Sequence, residues 1–173
     1  MSEQGKFSSI EAIAGHLAEH RYISDQSLAT VIYLSYHLHK PMVVITSNRT
    51  RDIHDALKRR CLYHWIDYPD LDKEIKIIHA RVPKLEESLV HQIAIFMQNI
   101  RKEDLLKKPG ISETLDWAEA LLKLHHNVLD EETVEQTLGC ILKYREDIQK
   151  FQSNIWPNQD KRTQLLTSYS NLK

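Results

Sequence analysis

The chain has 173 residues and a formal net charge of −1, which fits one ordinary domain or two small ones and gives no global case for binding nucleic acid or an acidic membrane surface. No apolar run approaches the ~20 residues needed to span a bilayer, and the start, Met1-Ser2-Glu3-Gln4-Gly5-Lys6, lacks an apolar signal core. Cys61 and Cys140 match no zinc or disulfide spacing, so a soluble cytoplasmic protein with reduced thiols is expected.

Only four glycines and five prolines occur, and so few breakers favour a mainly helical fold. Ser8 and Glu11 have capping-box spacing, and Ile10, Ile13, Ala14 and Leu17 recur at helical spacing behind them. Ser24 can cap a second helix, in which Leu28, Ala29, Val31, Ile32, Tyr33 and Leu34 lie nearly all round the axis. Such a distribution predicts burial on several sides. Pro41 ends that helix. Residues 42–46 read as a buried strand, Asp52 as the cap of a short helix over 53–60, and residues 62–67 as a second strand.

After Pro69 the pattern is helical almost to the end. Residues 70–80 form a charged amphipathic helix, and Leu89, Ile93, Phe96 and Ile100 form a regular apolar stripe in the next. The charge run Arg101-Lys102-Glu103-Asp104 reads as solvated surface. Lys108-Pro109-Gly110 breaks the pattern. Ser112 starts a helix with Leu115, Ala118 and Leu122 on one face, and Asp130 caps another that carries Val134, Leu138 and Ile141. Trp65 and Trp117 are expected as core anchors. The segment from Ser153 is polar, includes Pro157, and is expected to be poorly ordered. The predicted organisation is a partial α/β core over 8–69, a helical region over 70–152 and a polar tail over 153–173.

The run from Met42 to Pro69, MVVITSNRTRDIHDALKRRCLYHWIDYP, carries the main functional signal. An apolar segment delivers Asn48 at its tip, and a basic helix then ends in Lys58-Arg59-Arg60. This stretch resembles the sensor-1 and arginine-finger region of AAA+ ATPases, with its best likeness in the MoxR-type family near the carbon-monoxide-dehydrogenase maturation branch. The resemblance continues through Gly110-Ile111-Ser112-Glu113-Thr114-Leu115-Asp116-Trp117-Ala118 to Leu138-Gly139-Cys140 and Lys143-Tyr144-Arg145-Glu146-Asp147-Ile148, as a lid-like region. Tyr22-Ile23-Ser24-Asp25 and His39-Lys40-Pro41 look like the family segment before the phosphate-binding strand. It covers most of residues 8–150. The implied fold is mainly α: a small α/β remnant of a AAA+ core with two short strands, followed by a helical AAA+ lid.

The departure from the family is equally specific. There Lys40-Pro41 would lead into a strand, the phosphate loop, the Walker B strand and the substrate-facing loops; here Pro41 runs directly into the sensor-1 segment. A phosphate cradle needs G-x-x-x-x-G-K-[ST], because backbone N–H groups and a lysine must surround the phosphates. None of Gly5, Gly15, Gly110 and Gly139 has that spacing. Val128-Leu129-Asp130-Glu131 imitates Walker B, but Leu124-His125-His126-Asn127 precedes it instead of a strand, and Asp130 serves as a helix cap.

By spacing alone Asn48 is a turn residue; the resemblance makes it the sensor-1 residue, which orients an attacking water. Arg60 is the arginine-finger candidate by its family position, with Arg59 as the alternative, while both also suit a helix C-terminus. Thr114 stands roughly where many relatives carry a sensor-2 arginine, so no sensor-2 role is transferred. His125-His126 beside Asp130 and Glu131 matches no metal-site spacing and reads as a solvated turn.

The resemblance implies ATP-driven chaperone activity in a hexameric ring, metalloenzyme maturation, ATP and magnesium as cofactors, and a von Willebrand A-domain partner. The missing centre predicts instead that this chain alone neither binds nor hydrolyses ATP and has no cofactor of its own; the spacing offers no metal site, and the net charge gives no case for a nucleic-acid or membrane partner. The alternative is a non-enzymatic module that docks on an intact AAA+ paralogue ring and supplies or blocks an arginine finger.

Overall fold

The computed structural model describes residues 7–42, 59–62, 64 and 66–166. The chain divides into two compact units, Met1–Asp67 and Tyr68–Lys173. No helix among the described residues is long and apolar enough to cross a membrane.

In the first unit, α1 (Ile10–Glu19) and α2 (Gln26–His37) pack against each other. The caps fall one residue later than the sequence suggests. Ser9, not Ser8, accepts the Ala12 N–H at 3.1 Å, and Asp25, not Ser24, accepts the Leu28 N–H at 2.8 Å. A carboxylate is favoured at the second position because it also complements the positive end of the helix. Ile13 of α1 and Ala29 of α2 are buried. The expected burial of α2 on several sides is not what the structure has: Ala29 is its buried residue, and Leu34 and Tyr36 are exposed. Local aromatic pairs cover part of the face, with Phe7 stacked on Tyr36 at 4.6 Å and Tyr33 against His37 at 4.2 Å.

The second expected strand, 62–67, is corrected. Leu62, His64, Ile66 and Asp67 are not in a strand, and Ile66 is exposed. Met42 is irregular and exposed, while residues 43–46 lie outside the described residues. Among the described residues the fold is mainly helical with no strand. The physical reason is pairing: an apolar β-prone segment becomes a strand only if neighbours take its backbone N–H and C=O groups, and a two-stranded remnant is marginal.

In the second unit, α3 (Leu71–Arg81), α4 (Glu87–Ile100), α5 (Ile111–Lys123), α6 (Glu131–Ile141), α7 (Arg145–Lys150) and α8 (Gln159–Leu166) surround one core. The expected stripe of α4 is fully buried, and Val90, Ala94 and Met97 are buried with it. That helix is therefore covered on more than one face. Around it lie Ile78 of α3, Trp117 and Leu121 of α5, and Val134, Leu138 and Ile141 of α6. In α5 the buried face is centred on Trp117, Ala118 and Leu121, with Leu115 and Leu122 at its margins.

The segment from 153 to 166 differs from the expected poorly ordered tail. α7 runs into a π-helical turn, Phe151–Ile155. The Trp156 N–H bonds the Phe151 carbonyl at 2.8 Å, and this wider turn lets Phe151, Ile155 and Trp156 all be buried. Leu165 then seats α8 on the core. Polar ties hold it there: Lys161 to Glu103 at 2.6 Å, Arg162 to Glu131 at 3.0 Å, and Asn99 Nδ2 to the Gln164 carbonyl at 2.8 Å.

Candidate functional site

Arg59 and Arg60 end a helical stretch, and both are exposed. An exposed guanidinium presents a planar fork of donors whose geometry matches a carboxylate or phosphate. Asn48 lies outside the described residues, as does Trp65.

The same unit contains a pair that the sequence did not reveal. His64 Nε2 is buried and lies 3.9 Å from Asp25 Oδ1. That is too long for a hydrogen bond, and the ring nitrogen has no hydrogen-bond partner among the described residues. Asp25 is already committed to the start of α2, accepting from the Leu28 amide and the Ser27 hydroxyl, both at 2.8 Å.

A buried polar cluster lies in the helical unit. Arg101, at the end of α4, is 7 % exposed and forks onto the fully buried Glu74 of α3. Nη1 donates to Oε2 at 2.6 Å and Nη2 to Oε1 at 2.7 Å. The Thr114 hydroxyl donates to Glu74 Oε1 at 2.8 Å and accepts from Arg101 Nη2 at 3.1 Å. Gln98 Nε2 donates to Glu74 Oε2 at 2.6 Å and to the Pro69 carbonyl at 2.9 Å. Arg101 Nε donates to the Pro109 carbonyl at 2.8 Å. The Tyr68 ring lies 5.1 Å from the guanidinium carbon, in cation–π range.

Each Glu74 oxygen thus accepts two hydrogen bonds, so this carboxylate is satisfied within the protein. Arg101 faces inward, which corrects its assignment to a solvated charge run. The reason was not visible locally, because the opposing charge lies 27 residues earlier in the chain. Removing one member would leave the other charge buried and unpaired, at a cost of about 3–5 kcal/mol. Thr114 is fully buried in this cluster, so its side chain is committed to the fold.

The remaining candidates resolve as structure. Asp130 Oδ1 accepts the Thr133 N–H at 2.8 Å and caps α6, and Glu131 pairs with Arg162. His126 Nδ1 lies 3.3 Å from Thr133 Oγ1. Among the described residues no group of three His, Cys, Asp or Glu side chains is arranged to hold a metal ion. A surface groove of about 250 Å³ is lined by Glu131, Gln159, Arg162, Thr163 and Leu166, and its arginine is held by Glu131. Comparison with protein families, curated proteins and solved structures finds no match to this chain.

Proposed function

We propose that this chain is a MoxR-type AAA+-like protein that has lost its nucleotide grip and acts on an intact AAA+ paralogue instead of turning over ATP itself. One observation carries the reading. The sequence joins Pro41 directly to the sensor-like segment, with no G-x-x-x-x-G-K-[ST] pattern anywhere in it, while Arg60 stands exposed at the end of a helix. A guanidinium placed in a neighbour's site can raise phosphoryl transfer by ~10³–10⁵; misplaced, the same side chain blocks the site. The family role implied is ATP-driven maturation of metalloenzymes beside a von Willebrand A-domain protein, with ATP and magnesium bound by the intact paralogue.

The experiment has two arms. Calorimetry of the purified chain with Mg-ATP should show no saturable uptake in the micromolar range, and saturable binding would end the proposal. Titration into an intact MoxR-type ATPase should change its turnover in either direction. An unchanged rate at excess chain would remove the docking role.

A further inference from the structure

We infer that the Glu74–Arg101 network is a clamp that sets the path of the chain into the helical unit, and that its contribution lies in this orientation more than in net stability. The inference is independent of the nucleotide reading above.

Three segments converge on the network. They are Tyr68-Pro69, immediately before α3; the end of α4 at Gln98 and Arg101; and Lys108-Pro109-Gly110, which leads into α5. Pro69 and Pro109 have no backbone N–H to anchor their segments. Side chains grip the carbonyls instead: Gln98 holds that of Pro69 at 2.9 Å, and Arg101 holds that of Pro109 at 2.8 Å. The Tyr68 hydroxyl adds a 3.3 Å bond to the Lys108 carbonyl, and its ring lies against the guanidinium. The two proline segments are thereby tied to one buried charge pair and to each other.

Energetics point the same way. The desolvation cost of a buried ion pair largely offsets its attraction, so replacing both partners with apolar groups of similar volume is often neutral or stabilising. An apolar pair would fill the space but could not hold the Pro109 carbonyl, orient Gln98 on the Pro69 carbonyl or face the Tyr68 ring with a charge. What the network adds over an apolar core is directional.

The test is amide hydrogen exchange on the full chain, comparing the parent with Glu74→Met/Arg101→Met and with Gln98→Leu, which leaves the ion pair in place. Reporters are the amides of residues 73, 74, 110 and 114, which bond Asp70, Glu113 and the Gly110 carbonyl. The α6 amides of Val134 and Ile141 serve as references. The paired replacement should keep the melting temperature while exchange at the four reporters rises about tenfold or more and the α6 references stay unchanged. Gln98→Leu should raise exchange at residues 73 and 74 while sparing 110 and 114. A lowered melting temperature with a uniform rise in exchange would make the network a stability element and overturn the inference. Unchanged exchange at the reporters would also overturn it. If the paired replacement fails to fold, the Gln98→Leu pattern decides.

Discussion

Trp117 of α5 donates its indole N–H to Thr137 Oγ1 of α6 at 2.7 Å, with the indole fully buried and the threonine 5 % exposed. Thr137 passes the bond on, donating to the Thr133 carbonyl at 2.6 Å. The core of the helical unit is therefore bonded across two helices as well as packed. Thr137→Val keeps the shape and removes the acceptor, leaving the indole N–H unpaired. We expect a loss of about 1–3 kcal/mol in denaturant unfolding. A Trp117→Phe/Thr137→Val double variant should cost less than the sum of the single changes, because the orphaned donor is gone as well.

Asp147 is 1 % exposed and accepts the N–H groups of Leu106 at 2.8 Å and Lys107 at 3.0 Å. One carboxylate thus fixes the turn after α4 from a helix about forty residues later. Asp147→Ala should destabilise by about 2–4 kcal/mol, since two part-buried amides lose their acceptor. The accompanying sign is faster exchange at Leu106 and Lys107 than in α5.

Arg21, His39 and His125 have φ of 58°, 52° and 58°. All three follow helix C-caps and close the same paired bonding pattern; for His125 these are His125 N–H to the Leu122 carbonyl and His126 N–H to the Leu121 carbonyl. Glycine relieves the steric penalty that a side chain meets in this left-handed conformation. His125→Gly should stabilise the helical unit by about 0.5–1 kcal/mol, read as a raised midpoint in urea.

The Asp130 carboxyl is held below the ordinary carboxylate range, first by the Thr133 hydroxyl and then by the Thr133 amide. A group whose folded pKa is depressed adds stability above its unfolded pKa, and that contribution disappears as pH falls through the folded value. The contribution of Asp130 should therefore be whole at neutral pH and fade below about pH 4. Asp130→Asn should flatten that part of the acid-unfolding curve while changing stability little below it.

On the proposed docking role, Arg60→Ala should abolish any effect of this chain on the turnover of an intact MoxR-type ATPase, and Arg59→Ala should leave most of it. The reverse order would assign the finger to Arg59. Equal loss from both would indicate a shared charge effect instead of a single inserted guanidinium.

Local chemistry was legible where it acts over a turn or two of helix. The α4 stripe, the Asp130 cap, Trp117 as a core anchor and the mainly helical character all follow from spacing and residue type. Helix ends were less legible. Three helices close on Arg21, His39 and His125 instead of glycine, so the usual stop residue is missing. The 62–67 strand failed because pairing is a property of neighbours in space. Arg101 and the 153–166 segment failed for related reasons. A basic residue in a charge run looks solvated until Glu74 is brought beneath it, and a π-helical turn hides the apolar period that seats Phe151, Ile155 and Trp156.

What the sequence determined by itself was its helical vocabulary and the absence of a phosphate-cradling pattern, because helix periodicity and a glycine-spaced loop are both written in short stretches of chain. Tertiary structure decided which polar groups meet: Arg101 with Glu74, Trp117 with Thr137, and Asp147 with the amides of Leu106 and Lys107. Those partners lie 20 to 41 residues apart, and only the packing of the apolar core brings such distant groups within hydrogen-bond length and removes the water that would otherwise satisfy them.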